Sequence, residues 1–106
     1  MDRKKSIINE LGEFKRNASK EAPLQKLIFF GSRVKGKPHR YSDIDLIVVS
    51  KKFKGLKFRR RPLPLYDYWN LNYPVDFLCY TPEEFKKLSK RITIVREAVK
   101  WGIEIS

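Results

Sequence analysis

The chain has 106 residues, 24 of them Lys or Arg against 12 Asp or Glu, for a net charge of +12. Such a length buries roughly two-thirds of the unfolded surface, enough for one modest core in a single domain over 1–106, and the charge points to an anionic partner. One cysteine, Cys79, and one histidine, His39, exclude both an internal disulfide framework and a Cys/His zinc site.

Any metal must then fall to carboxylates, which favours Mg2+, with Mn2+ as the alternative. The basic start MDRKKSIINELGEF has no apolar segment behind it, and no stretch approaches the ~18 apolar residues of a membrane span, so a cytoplasmic protein with no membrane contact is expected.

Residues 3–18 read as an amphipathic helix, with Ile7, Ile8, Leu11, Phe14 and Ala18 at three- and four-residue intervals. It should end before Glu21-Ala22-Pro23 and cover one face of a sheet. Leu24 to Phe30 forms a first strand whose continuous apolar run predicts burial on both faces. Gly31 ends it, and Ser32 is placed to cap a short helical turn through Val34, where backbone N–H groups and the hydroxyl could meet an anion. A plain strand-to-helix turn explains Gly-Ser equally well. Residues 35–42 are a basic loop carrying Arg33, Lys35, Lys37 and Arg40 in and beside it, with His39 expected at the surface.

Asp43-Ile44-Asp45 then leads into the apolar run Leu46 to Val49. Strand side chains alternate, so Asp43 and Asp45 share a face, where like charges repel. Either Asp43 is a turn residue with Asp45 at the strand mouth, or both are ligands of a divalent cation. The neighbouring Gly31-Ser32 turn favours the cation, since open sheets collect ligands at the carboxyl ends of their strands.

Residues 51–61, KKFKGLKFRRR, carry Lys51, Lys52, Lys54, Lys57, Arg59, Arg60 and Arg61 among Phe53, Leu56 and Phe58, with no acid. This is either a solvated helix face packed on the sheet or a contact surface for RNA or an acidic protein. Pro62 and Pro64 interrupt any helix, and the aromatics from Tyr66 to Tyr73, Trp69 included, read as core or rim packing that also leaves room for a homodimer. Val75 to Tyr80 is a third strand, with Asp76 near its start among apolar neighbours and therefore in need of a cation or strong donor. Thr81-Pro82-Glu83-Glu84 is a capping box, and the helix it opens runs through Phe85, Leu88, Ile92, Val95 and Val99 to a cap at Gly102, broken near Ser89 to Arg91. A short edge strand follows at 103–105. This tail offers nothing catalytic.

Gly31-Ser32, ten intervening residues, Asp43-x-Asp45 and then Val75-Asp76 together resemble the nucleotidyltransferase superfamily related to DNA polymerase beta, and in particular its minimal members of about this length. The likeness covers nearly the whole chain. It implies an α+β fold, a small mixed sheet flanked by helices in an α/β-like sandwich. It also implies transfer of a nucleoside monophosphate, with ATP the default donor. Gly31 and Ser32 would hold the triphosphate, with Arg33, Lys35 or Lys37 adding positive charge. Asp43 and Asp45 would coordinate two Mg2+ ions, and Asp76 would bind the one nearest the attacking group. Minimal members commonly resemble the antitoxin partners of HEPN-type proteins, acting by AMP transfer to the toxin or by blocking it. A non-catalytic occluding module and a small RNA-binding or RNA-modifying protein are the alternatives.

Overall fold

The computed structural model describes residues 3–35 and 43–106; the expected loop residues Lys37, His39 and Arg40 lie outside these. Among these residues four strands, β1 (Lys26–Phe30), β2 (Ile44–Val49), β3 (Val75–Tyr80) and β4 (Ile103–Glu104), form one sheet in the order β3-β2-β1-β4. β1 is antiparallel to β2 and to β4, while β2 and β3 run parallel. Three α-helices accompany the sheet: α1 (Arg3–Ala18), α2 (Pro82–Ser89) and α3 (Ile94–Trp101). This is the expected mixed sheet with helices.

The period-two alternation of the strands divides the apolar residues between two cores. Leu27 and Phe29 of β1, Leu46 and Val48 of β2, and Phe77 and Cys79 of β3 pack with Ile7, Leu11, Phe14 and Ala18 of α1. On the other face Ile28, Phe30, Ile47 and Val49 pack with Val95 and Ala98 of α3. β1 and β2 are thus buried on both sides, as their unbroken apolar runs predict. Leu11 and Phe14 are almost fully buried, and each such side chain contributes about 1.5–3 kcal/mol. Trp69 closes the first core, edge-on to Phe14 and Phe77, with its Nε1 donating to Tyr73 O at 2.9 Å.

A parallel β2–β3 pair requires a crossover, and here it is made of 3-10 turns at Lys51–Phe53, Phe58–Arg60 and Leu63–Tyr68 rather than of the helix allowed over 51–61. Ser50 starts it, its Oγ donating to Pro23 O at 2.8 Å and accepting from Lys52 N at 3.2 Å. Arg61 departs from the expected basic surface. It is 7% exposed, donates to Leu56 O and Cys79 O at 3.0 and 3.1 Å, and pairs with Glu84 at 2.6 Å. It therefore bolts the crossover to the start of α2, whose capping box between Thr81 and Glu84 forms as expected.

The helical tail breaks over 90–93, slightly later than expected, because Thr93 caps a second helix: its Oγ1 accepts from Arg96 N and donates to Leu88 O. Ile92 falls in this break and is 94% exposed, so it is not part of the helical apolar stripe. Gly102 has an ordinary negative φ, not the left-handed cap conformation. It is needed for close approach instead, since a Cβ there would stand 2.8 Å from Ile28 Cγ2 and 3.0 Å from Phe29 O. Among the described residues no helix is long and apolar enough to cross a membrane.

Candidate active site

The antiparallel register places Phe30, the last residue of β1, opposite Asp45 near the start of β2. The parallel register places Asp45 beside Asp76 of β3. Three sequence segments therefore meet at one end of the sheet. The expectation that ligands gather at carboxyl strand ends arrives at this place by another route: the carboxyl end of β1 lies beside the amino ends of β2 and β3 because β1 is reversed.

Gly31 follows Phe30 with φ +90, and a Cβ on it would overlap Asp45 Oδ2. Only glycine satisfies both the left-handed backbone and this contact. The turn is closed by Gly31 O, which accepts from Val34 N at 3.0 Å and Lys35 N at 2.9 Å. Gly31, rather than Ser32, thus anchors the helical turn expected here, and Ser32 is exposed beside it.

Asp45 and Asp76 flank Ile44, Leu46 and Phe77, whose side chains enter the α1 core, so both carboxylates point to the opposite face. Asp43 shares that face by alternation. Asp45 is half-buried, while Asp43 and Asp76 are exposed. Burial pushes the Asp45 carboxyl up from its ordinary value, and the charges of Asp76 and Asp43 push it further.

This is the environment a divalent cation corrects, and an all-oxygen donor set suits a hard ion such as Mg2+. Among the described residues, however, no three acidic, His or Cys side chains already converge as a ready-made cage. The fit rests on the chemistry of the donors and on the mutual repulsion that raises Asp45, with Asp43, Asp45 and Asp76 the residues that would hold the ion. Cys79 is no candidate nucleophile: burial pushes its thiol up to about 12.

A cavity of about 340 Å³ opens from the carboxylates, reaching from Gly31, Asp45 and Asp76 to Ile94, Glu97 and Trp101. Helix α3, expected to be mere scaffold, thus forms a wall of the site. The missed signal was the exposure of Ile94 and Trp101, seven residues apart on a helix whose buried stripe is Val95 and Ala98. Lys35 also lines the cavity, with its Nζ 3.8 Å from the Trp101 ring centroid. The Arg33 guanidinium lies 4.5 Å from the Tyr73 ring centroid.

Lys51, Lys52, Lys54, Lys57, Arg59 and Arg60 are all exposed on the crossover, none of them lining this cavity. Phe53 between them is core, and Phe58 packs against Tyr80 with ring centroids 5.4 Å apart.

A family model described as nucleotidyltransferase domain matches residues 11–101. A "probable protein adenylyltransferase", MntA of Haemophilus influenzae, is 35% identical over 77 residues, 71% of this chain and 68% of that protein. A "putative protein adenylyltransferase", MJ0141 of Methanocaldococcus jannaschii, is 27% identical over 101 residues, 93% of this chain and 98% of that protein. The crystal structure of a "putative nucleotidyltransferase" from Sulfolobus solfataricus superposes with a TM-score of 0.66 at 22% identity, covering 95% of this chain and 80% of the other, a likeness of fold.

Proposed function

The chain belongs to the nucleotidyltransferase domain family, and we propose that it transfers AMP from ATP to a hydroxyl of a partner protein in a Mg2+-dependent reaction. The observation that carries this reading is the meeting of Gly31, Asp45 and Asp76 at one sheet end, with Asp45 raised by burial and by the charges of Asp76 and Asp43. Support for a protein acceptor comes from the two relatives that bear the name protein adenylyltransferase. A HEPN-type toxin as that partner rests on the resemblance of the motif spacing alone.

In this reading the attacking hydroxyl displaces pyrophosphate from the α-phosphorus, forming one P–O bond as another breaks. Gly31 lets the backbone approach the triphosphate closely, while Ser32, Arg33 and Lys35 stand within the same turn to meet its charge. Asp43, Asp45 and Asp76 would hold the metal, with Asp76 on the side of the acceptor. A bound divalent ion would supply a lowered pKa for the attacking hydroxyl and neutralisation of the leaving pyrophosphate. What remains for the protein is alignment, which two paired strands and a pinned turn provide.

The test is incubation with α-labelled ATP and Mg2+, offering a HEPN-type partner and bulk RNA as parallel acceptors, with Asp45→Asn as control. Label on the protein, absent from the control, is expected. Label on RNA alone would replace this reading with RNA modification. Tight partner binding without any transfer would leave an occluding antitoxin. A contact role for the basic crossover is favoured by the exposure of Lys51 to Lys54 and Lys57 to Arg60 away from the site, and would draw an anionic partner alongside it.

A further inference from the structure

We infer that the indole of Trp101 is the platform on which the base of the incoming nucleotide stacks, and that Lys35 rests on this ring until the base displaces it. The inference rests on the nucleotidyltransferase reading above. One end of the cavity is made by Gly31, Asp45 and Asp76, where the phosphates belong; the α3 wall is made by Ile94, Ala98 and Trp101, with Glu97 the one acid among them. Its volume of about 340 Å³ is in the range of small-molecule sites, ~300–1,000 Å³, and far exceeds what a metal ion or single phosphate needs. The two ends differ in chemistry as the two ends of a nucleotide do.

Trp101 is 48% exposed although it lies on the face of α3 that turns toward the sheet. It stacks on no other ring among the described residues; its neighbours are the ammonium groups of Lys35 at 3.8 Å and Lys100 at 5.2 Å from its centroid. A lysine over an exposed ring is held weakly, and base–aromatic stacking is the stronger of the two contacts. Lys35 can leave at small cost, because its backbone is fixed to the turn by Lys35 N donating to Gly31 O at 2.9 Å. Only the side chain has to swing. It then has the triphosphate within the same turn to pair with, so base and phosphates each gain from the exchange. Stacking tolerates any base, so this contact supplies affinity rather than base selection.

Calorimetry on the full chain with Mg2+ present, using ATP and inorganic tripolyphosphate as separate probes, decides the matter. Trp101→Ala should weaken ATP binding about tenfold and leave tripolyphosphate binding unchanged or tighter, since Lys35 is released. Trp101→Phe, which keeps an aromatic face, should stay within about threefold of the parent for ATP. An ATP affinity untouched in Trp101→Ala overturns the assignment while leaving the transferase reading standing. Equal losses for ATP and tripolyphosphate would also overturn it, marking Trp101 as a support of the site rather than a platform. Failure of the parent chain to bind either probe would sink both readings together.

Discussion

Replacing Gly31 by Ala attacks the point where turn and carboxylate touch. Two costs arise from different atoms. A side chain at φ +90 pays about 1–2 kcal/mol for the left-handed backbone. The new Cβ would also overlap Asp45 Oδ2 and stand 3.0 Å from Asp45 Cγ. β2 cannot retreat, being hydrogen-bonded to β1 on one side and β3 on the other. The Asp45 side chain must rotate instead, at about 0.5–1.5 kcal/mol for leaving its rotamer.

The sum is about 2–3 kcal/mol, which lowers Tm by about 8–12 °C in a domain of this size. Activity should suffer more than stability, because a carboxylate displaced by about 1 Å costs about 100-fold in rate. Thermal melts and AMP transfer would be measured for Gly31→Ala, for Asp45→Ala and for the double variant. In the double variant Oδ2 and Cγ are absent and only the Cβ contact at 3.2 Å remains, so Gly31→Ala should retain little beyond its backbone cost, a coupling of about 1 kcal/mol. Full activity in Gly31→Ala with Tm within about 2 °C of the parent would refute the reasoning, showing that the turn yields freely.

Three further outcomes follow from the same geometry. Asp45 has a folded-state pKa raised above its ordinary 3.8, so its contribution to stability is full below that value and lost as pH rises through the raised one. Metal-free Asp45→Asn should accordingly melt above the parent at pH 7, with the gap closing below about pH 4, while transfer is abolished; a variant less stable than the parent at pH 7 would contradict the repulsion. Arg61→Ala strips Glu84, Cys79 O and Leu56 O of a buried donor and should cost about 2 kcal/mol by urea denaturation, less than a fully buried pair because Glu84 can rehydrate. Glu84 is held below its usual range chiefly by Arg61, so this contribution is present above the ordinary carboxylate pKa and lost as pH falls through the lowered one; the Arg61→Ala deficit should shrink in acid. Arg59→Ala/Arg60→Ala, at exposed positions, should leave stability within about 0.5 kcal/mol of the parent and flatten the salt dependence of partner or RNA affinity; an unchanged slope would make this face ordinary solvated surface.

The strands and the capping box were legible because each is a local signal: unbroken apolar runs for β1 and β2, alternation for β3, and Thr81 with Glu84 for α2. The three aspartates and the Gly31 turn were legible as residues. Their meeting, though, depends on β1 running against β2 while β3 runs with it, and no local pattern encodes strand direction. Arg61 was misread for the same reason. Within KKFKGLKFRRR it is one charge among seven, and only the crossover's path, which brings it to Glu84 and Cys79 O, distinguishes it. Trp101 was overlooked because an aromatic at helical spacing usually packs in a core. Its exposure appears once Val95 and Ala98 are seen to take the buried stripe.

Charge acts here on two length scales, and they oppose each other. The whole chain, at +12, attracts polyanions from solution. At the site the sign reverses: burial and the carboxylates of Asp76 and Asp43 raise Asp45. The lysines of the crossover do not line this cavity, and salt screens exposed charges beyond ~8–10 Å. A triphosphate drawn to the molecule would meet Lys35 at the turn and be repelled on the aspartate side unless a cation stood between its oxygens and the carboxylates. The repulsion that raises Asp45 would equally favour a nucleotide arriving with its metal. That explains why acids depleted from ordinary strands sit at the mouths of two adjacent ones.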